Sequence, residues 1–331
     1  MTTFAARDIA PTWPPVSPAR RRLCVATILA CLPYVCLKTA WILGWQVGAT
    51  TDDFSETTRV ANLVTGTMDL CGIALAVLLI HPLGRRIPAF VVGGPLWIAS
   101  GLLAPLAIGI TLGTATQVLT GGGSPVSGDE ALSGWVFLAV YGGFTAQAVL
   151  LLSGFALYAR DRWPVALGGG REHDGAGATR SLQNLLGWVF LPSAIGHAAL
   201  ALRWSVTGGG DFDDPSTAQR VFLIVGAALA LGGAAAYAVL LRGGRLRQRW
   251  LTLGFVGTAV VFTGTLTGLI TLVSVERTDW GGSGLTHGEG LAYLFIALGA
   301  LGGAIGGTLR LVEEQRTTPL VEEQRTTPLV E

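Results

Sequence analysis

Residues 20–45 read RRRLCVATILACLPYVCLKTAWILGW, three arginines followed by an almost uninterrupted apolar stretch. An α-helix satisfies its own backbone hydrogen bonds in lipid, and about 20 apolar residues cross the ~30 Å hydrocarbon layer. The stretch is longer than the apolar region of a signal peptide and lacks a small-residue cleavage site. We therefore interpret it as a retained first transmembrane helix.

The rest of the chain is also strongly apolar. Half of the 331 residues are hydrophobic and 13% are charged, whereas soluble domains carry about 25% charged residues. The sequence predicts an all-α membrane protein of eight transmembrane helices, multi-pass in the bacterial cytoplasmic membrane. The predicted spans are 23–48, 60–82, 88–113, 132–159, 182–204, 219–242, 250–275 and 289–312.

Arginines are concentrated in alternate connections between the spans. They precede the first span, lie at the end of the eighth, and lie between spans two and three, four and five, and six and seven. The other connections carry mainly aspartate and glutamate. Because Lys and Arg favour the cytoplasmic side, this alternation predicts that both termini are cytoplasmic.

The spans fall into two related sets. A spacing of 159 residues relates Leu32-Pro33, Lys38 and Trp45 of the first span to Leu191-Pro192, His197 and Trp204 of the fifth. Four spans per half keep both halves in the same orientation, which predicts two parallel four-helix repeats. Low-complexity apolar sequence is the alternative explanation.

These patterns predict five segments: a cytoplasmic tail (1–22), a first half (23–159), a cytoplasmic linker (160–181), a second half (182–312) and a flexible cytoplasmic tail (313–331). The last region contains a second repeat, since LVEEQRTTP at 311–319 recurs at 320–328. Thr-Thr-Pro disfavours a continuing helix, so we expect the last helix to end before Pro319.

Ionisable groups inside hydrocarbon are costly and mark function by default. Lys38 and Asp69 each lie about ten residues from the outer ends of spans one and two, roughly 15 Å deep. Because these spans form an antiparallel hairpin, we expect the two side chains to pair. The pair is either a static contact that fixes helix register or a gated site for a proton, ion or charged substrate.

His197 and Gln147 are the other candidate pathway residues. His197 occupies the position of Lys38 in the second half, so a pseudo-twofold axis would place the two at similar depth, facing each other. It could relay protons or be a hydrogen-bonded packing residue. Gln147 adds a polar group in span four. No metal set, cofactor motif or nucleic-acid partner is predicted.

Lys38, Trp41 and Gly44 form a K-x-x-W-x-x-G pattern in the first span. In this pattern the chain resembles uncharacterised polytopic integral membrane proteins of high-GC bacteria. The resemblance implies a multi-span membrane protein and carries no activity with it.

Three function classes remain open. A transporter or permease for a small charged solute or proton is favoured by the polar groups inside the spans. A non-catalytic membrane protein, such as an assembly subunit or an immunity or sensor component, would contain a filled core and an inert ion pair. A membrane-embedded enzyme would need a reactive cluster that the sequence does not show. The predicted partners are the lipid bilayer and such a solute.

Overall fold

The computed structural model describes residues 15–49, 56–121, 133–167, 179–208, 214–242, 248–275 and 287–326. Every regular element within these ranges is an α-helix, and they contain no β-strand. The helices are α1 (Pro18–Ile42), α2 (Glu56–Ile80), α3 (Leu83–Arg86), α4 (Ala89–Leu119), α5 (Gly134–Arg162), α6 (Pro164–Leu167), α7 (Arg180–Thr207), α8 (Thr217–Leu241), α9 (Gln248–Val275) and α10 (His287–Thr326).

Eight of these helices are long and apolar enough to cross a membrane: α1, α2, α4, α5, α7, α8, α9 and α10. Large apolar side chains on their outer surfaces are exposed, including Phe90 at 74% and Leu138 at 72%. Such surfaces suit a lipid environment, in which exposed apolar side chains carry no penalty. The predicted number and order of spans are confirmed, and the protein is a polytopic membrane protein.

The end of α1 differs from the prediction. The helix ends at Ile42 rather than near residue 48, because Gly44 adopts a positive φ of 85°. The amide of Trp45 donates to the carbonyl of Ala40, as in a Schellman C-cap. Arg59 of α2 donates to the carbonyl of Ile42 at 3.2 Å, which places a positive charge at a helix C-terminus where it is favourable.

The two largest buried clusters among the described residues lie one in each half of the chain. The first joins α1, α2, α4 and α5, and the second joins α7, α8, α9 and α10. Aromatic and aliphatic side chains such as Tyr158 and Leu151 fill the first, whereas the second is rich in alanine. The division agrees with the predicted halves, and their relation as parallel repeats stays a prediction.

Helix α4 joins the two halves by packing against α8 and α9. The indole nitrogen of Trp97 donates to the Thr258 hydroxyl at 3.0 Å. A Cβ on Gly109 would lie 2.9 Å from the Phe222 ring, so the missing side chain permits the close approach of α4 and α8. Such small residues are typical of helix contacts within membranes.

The helices extend across the predicted segment boundaries. Helix α1 begins at Pro18, inside the predicted tail 1–22, with Ser17 as N-cap. The predicted linker 160–181 contains the last turn of α5, all of α6 and the start of α7, while 168–178 lie outside the described residues. Helix α10 continues through Pro319 to Thr326, although Thr-Thr-Pro was expected to end it.

Candidate functional site

Lys38 and Asp69 form a buried ion pair between α1 and α2, as the sequence predicts. The Nζ of Lys38 donates to Oδ2 of Asp69 at 2.9 Å. The side chains are only 1% and 5% exposed, respectively. Each charge therefore has its partner within the protein rather than in water or lipid, which offsets the cost of burying it.

Lys38 lies nearer to the end of its helix than the predicted span implies, and its partner is the predicted one. Asp69 lies ten residues from Arg59, the start of the apolar part of α2. Lys38 lies only four residues before Ile42, or about 6 Å from the end of α1. The two charges still meet because a helical side chain points back toward the N-terminus of its helix. The ammonium accordingly lies over Tyr34, one turn earlier.

Aromatic rings complete the surroundings of the Lys38 ammonium. Its Nζ lies 3.8 Å from the centroid of the Tyr34 ring and 5.9 Å from that of Phe144. The two rings contact each other edge to face, with centroids 4.8 Å apart. Gly66 of α2 faces the lysine stem, and a Cβ there would make an ordinary van der Waals contact of 3.5 Å with Cδ of Lys38. A carboxylate and aromatic faces together stabilise a cation.

Gln147 of α5 approaches α2 beside this pair. It is 5% exposed, and a Cβ added to Gly72 would lie 2.6 Å from its Nε2. Gly72 follows Asp69 by three residues, or about one helical turn. The structure therefore brings Lys38, Asp69 and Gln147 to neighbouring positions among α1, α2 and α5.

His197 is not part of this group. It lies on α7 in the second half, where Gly264 of α9 leaves room for its imidazole ring. The nitrogen Nδ1 is buried without a hydrogen-bond partner among the described residues. Helix α1 packs mainly on α2 and α5, and α7 mainly on α8 and α10. The arrangement in which His197 faces Lys38 is therefore not found.

Each residue of the K-x-x-W-x-x-G pattern has a structural role. Lys38 pairs with Asp69, and Gly44 provides the left-handed residue that ends α1. The indole nitrogen of Trp41 donates to the carbonyl of Val47 at 2.8 Å, which fastens the chain beyond the helix. The pattern thus places a charge, an anchor and a helix end within two turns of one another.

The sequence interpretation missed Tyr34 and Phe144. A signal for both was present, because Tyr34 lies four residues before Lys38 and Phe144 three residues before Gln147. Residues at these spacings share a helix face. Hydropathy could not show that the two faces meet, since both rings belong to uninterrupted apolar runs.

Comparisons of the chain with protein-family models, with curated proteins and with solved structures found no match. A function for the protein must therefore be argued from its own residues.

Proposed function

We propose that this protein moves a small charged solute or protons across the membrane, with Lys38 and Asp69 as the gated charge site. The observation that carries the proposal is the ion pair itself, held between two apolar helices at a contact of 2.9 Å. Charged side chains within transmembrane segments mark solute and proton pathways. Gln147 adds a polar group beside the pair, and His197 lies outside this route.

The early end of α1 supports the same proposal. Residues 43–49, the described segment beyond Ile42, are not helical, whereas the neighbouring α2 is helical from Glu56 onward. In transporters, interrupted helices and irregular backbone occur where a segment lines a binding site. On this proposal, residues 43–49 shift and open the pair toward the end of the bundle that contains Gly44. The enclosed pair then corresponds to an occluded conformation.

The transport proposal is tested by reconstituting the purified protein into proteoliposomes on a solid-supported membrane. Charge movement is recorded during concentration jumps of small inorganic and organic ions and during pH jumps. We expect a current with at least one solute or with protons, and its loss in Asp69→Asn. Glu289→Gln is the matched control, because Glu289 is partly exposed and pairs at 3.5 Å with the exposed Arg203. Absence of current with every solute and pH step contradicts transport.

A second candidate is a non-catalytic membrane protein in which the ion pair only fixes helix register. The burial of both side chains, together with the rings around the ammonium, favours it. On this account the pair binds no solute or transported proton. Replacing both residues with neutral ones therefore leaves the protein's activity in the cell unchanged. Buried ion pairs with a registry role are known in other folds.

A further inference from the structure

The arginine-rich end of the first half contains a second charged cluster. Arg20, in the first turn of α1, is fully buried. Its Nη1 donates to Oδ2 of Asp161, at the end of α5, at 2.6 Å. Its Nε and Nη2 are also buried, and no described residue accepts a hydrogen bond from them.

These two nitrogens form one side of the planar guanidinium group. That side binds a carboxylate or phosphate through two parallel hydrogen bonds, the strongest geometry available to arginine. Leaving such donors buried without an acceptor costs more for a charged group than for a neutral one. The bond to Asp161 uses the remaining nitrogen, so it leaves this binding edge intact.

Among the described residues, positive charge exceeds negative charge around Arg20. The guanidinium carbons of Arg20 and Arg162 lie 5.7 and 5.8 Å from the centroid of the Tyr158 ring. Arg85 also interacts electrostatically with Arg20. Asp161 is the carboxylate that forms a salt bridge with this group, and it is 35% exposed, so the cluster reaches the molecular surface beside it.

Arg162 has a different role from Arg20. Its Nη1 donates to the carbonyl of Gly84 and its Nη2 to that of Ile87, both at 2.9 Å. The Tyr158 hydroxyl donates to the Gly84 carbonyl at 2.7 Å. Arg162 therefore holds the connection between α2 and α4 in place. In Arg20, by contrast, Nε and Nη2 have no acceptor among the described residues.

We infer that Nε and Nη2 of Arg20 bind a phosphate-type oxyanion at the membrane boundary. The N-terminus of α1, capped by Ser17, adds favourable electrostatic potential for an anion. Two sources share this chemistry, the phosphate of an anionic phospholipid headgroup and free inorganic phosphate. The inference does not depend on transport by the Lys38–Asp69 pair.

The test measures thermal unfolding of the purified full-length chain in an uncharged detergent without phosphate. Inorganic phosphate is titrated in one series and phosphatidylglycerol in mixed micelles in the other, with sodium chloride at matched ionic strength as reference. We expect a saturable rise in unfolding temperature in at least one series. Phosphate alone would assign free phosphate as the ligand, and lipid alone would assign the headgroup.

Variants separate this site from general electrostatics. Arg20→Lys keeps the charge but loses the two-nitrogen edge, and we expect the apparent affinity to fall at least about tenfold. Asp161→Asn removes a competing negative charge, so we expect tighter binding even though the variant loses an ion pair. The matched control is Arg180→Lys, at the exposed first residue of α7.

Two results would overturn the inference. One is a wild-type protein whose unfolding temperature responds to phosphate and to phosphatidylglycerol no more than to chloride. The other is an apparent affinity that is equal in wild type and in a folded Arg20→Lys protein, or equal in wild type, Asp161→Asn and Arg180→Lys. If Arg20→Lys does not fold, the comparison of Asp161→Asn with Arg180→Lys still decides, because Asp161 borders the proposed site and Arg180 does not.

Discussion

Asp69 accepts a hydrogen bond of 2.9 Å from the ammonium of Lys38, 31 residues earlier in the chain. The same ammonium lies 3.8 Å from the centroid of the Tyr34 ring, so it contacts a carboxylate and an aromatic face together. Since the two charged side chains are almost completely buried, removing either one leaves the other without a counter-charge. The first prediction follows from this dependence.

We expect Lys38→Met and Asp69→Asn to lower the free energy of unfolding by about 3–5 kcal/mol each, as for other buried pairs that lose one partner. The double variant should regain much of that loss, because no buried charge remains. Detergent-induced unfolding of the four proteins measures the coupling. The exposed pair Arg203–Glu289 is the control cycle, with an expected coupling of about 0–1 kcal/mol. Equal couplings in both cycles would contradict the burial described above.

Gly44→Ala tests the cap that ends α1. Both Gly44 and Gly93 have open space around the position of a Cβ, but only Gly44 has a positive φ. Alanine in the left-handed conformation costs about 1–2 kcal/mol, whereas Gly93→Ala within α4 should be neutral or stabilising by up to about 1 kcal/mol. Thermal unfolding compares the two. Equal effects would show that φ at residue 44 is not the constraint.

Gly233→Ala tests the closest approach of α8 and α9. A Cβ on Gly233 would lie 2.8 Å from the Cα of Gly257, a backbone atom that cannot move alone. We expect destabilisation by about 1–3 kcal/mol, as for overpacked cores. Gly226→Ala on the same helix meets no atom within 4 Å and should have no such cost. A stable Gly233→Ala protein would mean that the two helices separate easily.

Glu313→Ala tests a contact between α10 and the start of α7. The Glu313 carboxylate accepts hydrogen bonds from the Thr179 hydroxyl at 3.0 Å and from Nε2 of Gln183 at 2.6 Å. Its negative charge lies at a helix N-terminus, where capping groups contribute about 0.5–2 kcal/mol. We expect a loss in this range by thermal unfolding. Glu313→Gln retains an acceptor oxygen and should lose less, so an equal loss would argue against the hydrogen bonds.

The eight helices could be predicted because apolar length alone decides whether a segment suits a bilayer. The end of α1 could not, since apolar residues such as Trp45 and Val47 continue beyond Gly44. Hydropathy does not reveal the left-handed φ of that glycine, which ends the helix. The same limitation explains why Lys38 lies nearer to the end of its helix than the predicted span implies.

The candidate site could be predicted only in part. An antiparallel hairpin and opposite charges were enough to pair Lys38 with Asp69. The rotation of each helix about its axis depends on packing against its neighbours, so the rings around the ammonium were not foreseen. Arg20 was counted only as a charge that sets orientation, although its side chain is buried against α5.

The most direct test of a functional role for the ion pair is solute or proton flux in proteoliposomes containing the Lys38→Met, Asp69→Asn double variant. Thermal unfolding first establishes the folded fraction of the variant and of wild type, and equal amounts of folded protein are compared. We expect the variant to remain folded and to lose the flux that wild type supports. Wild-type flux in the folded double variant would contradict the account and assign the pair to structure alone.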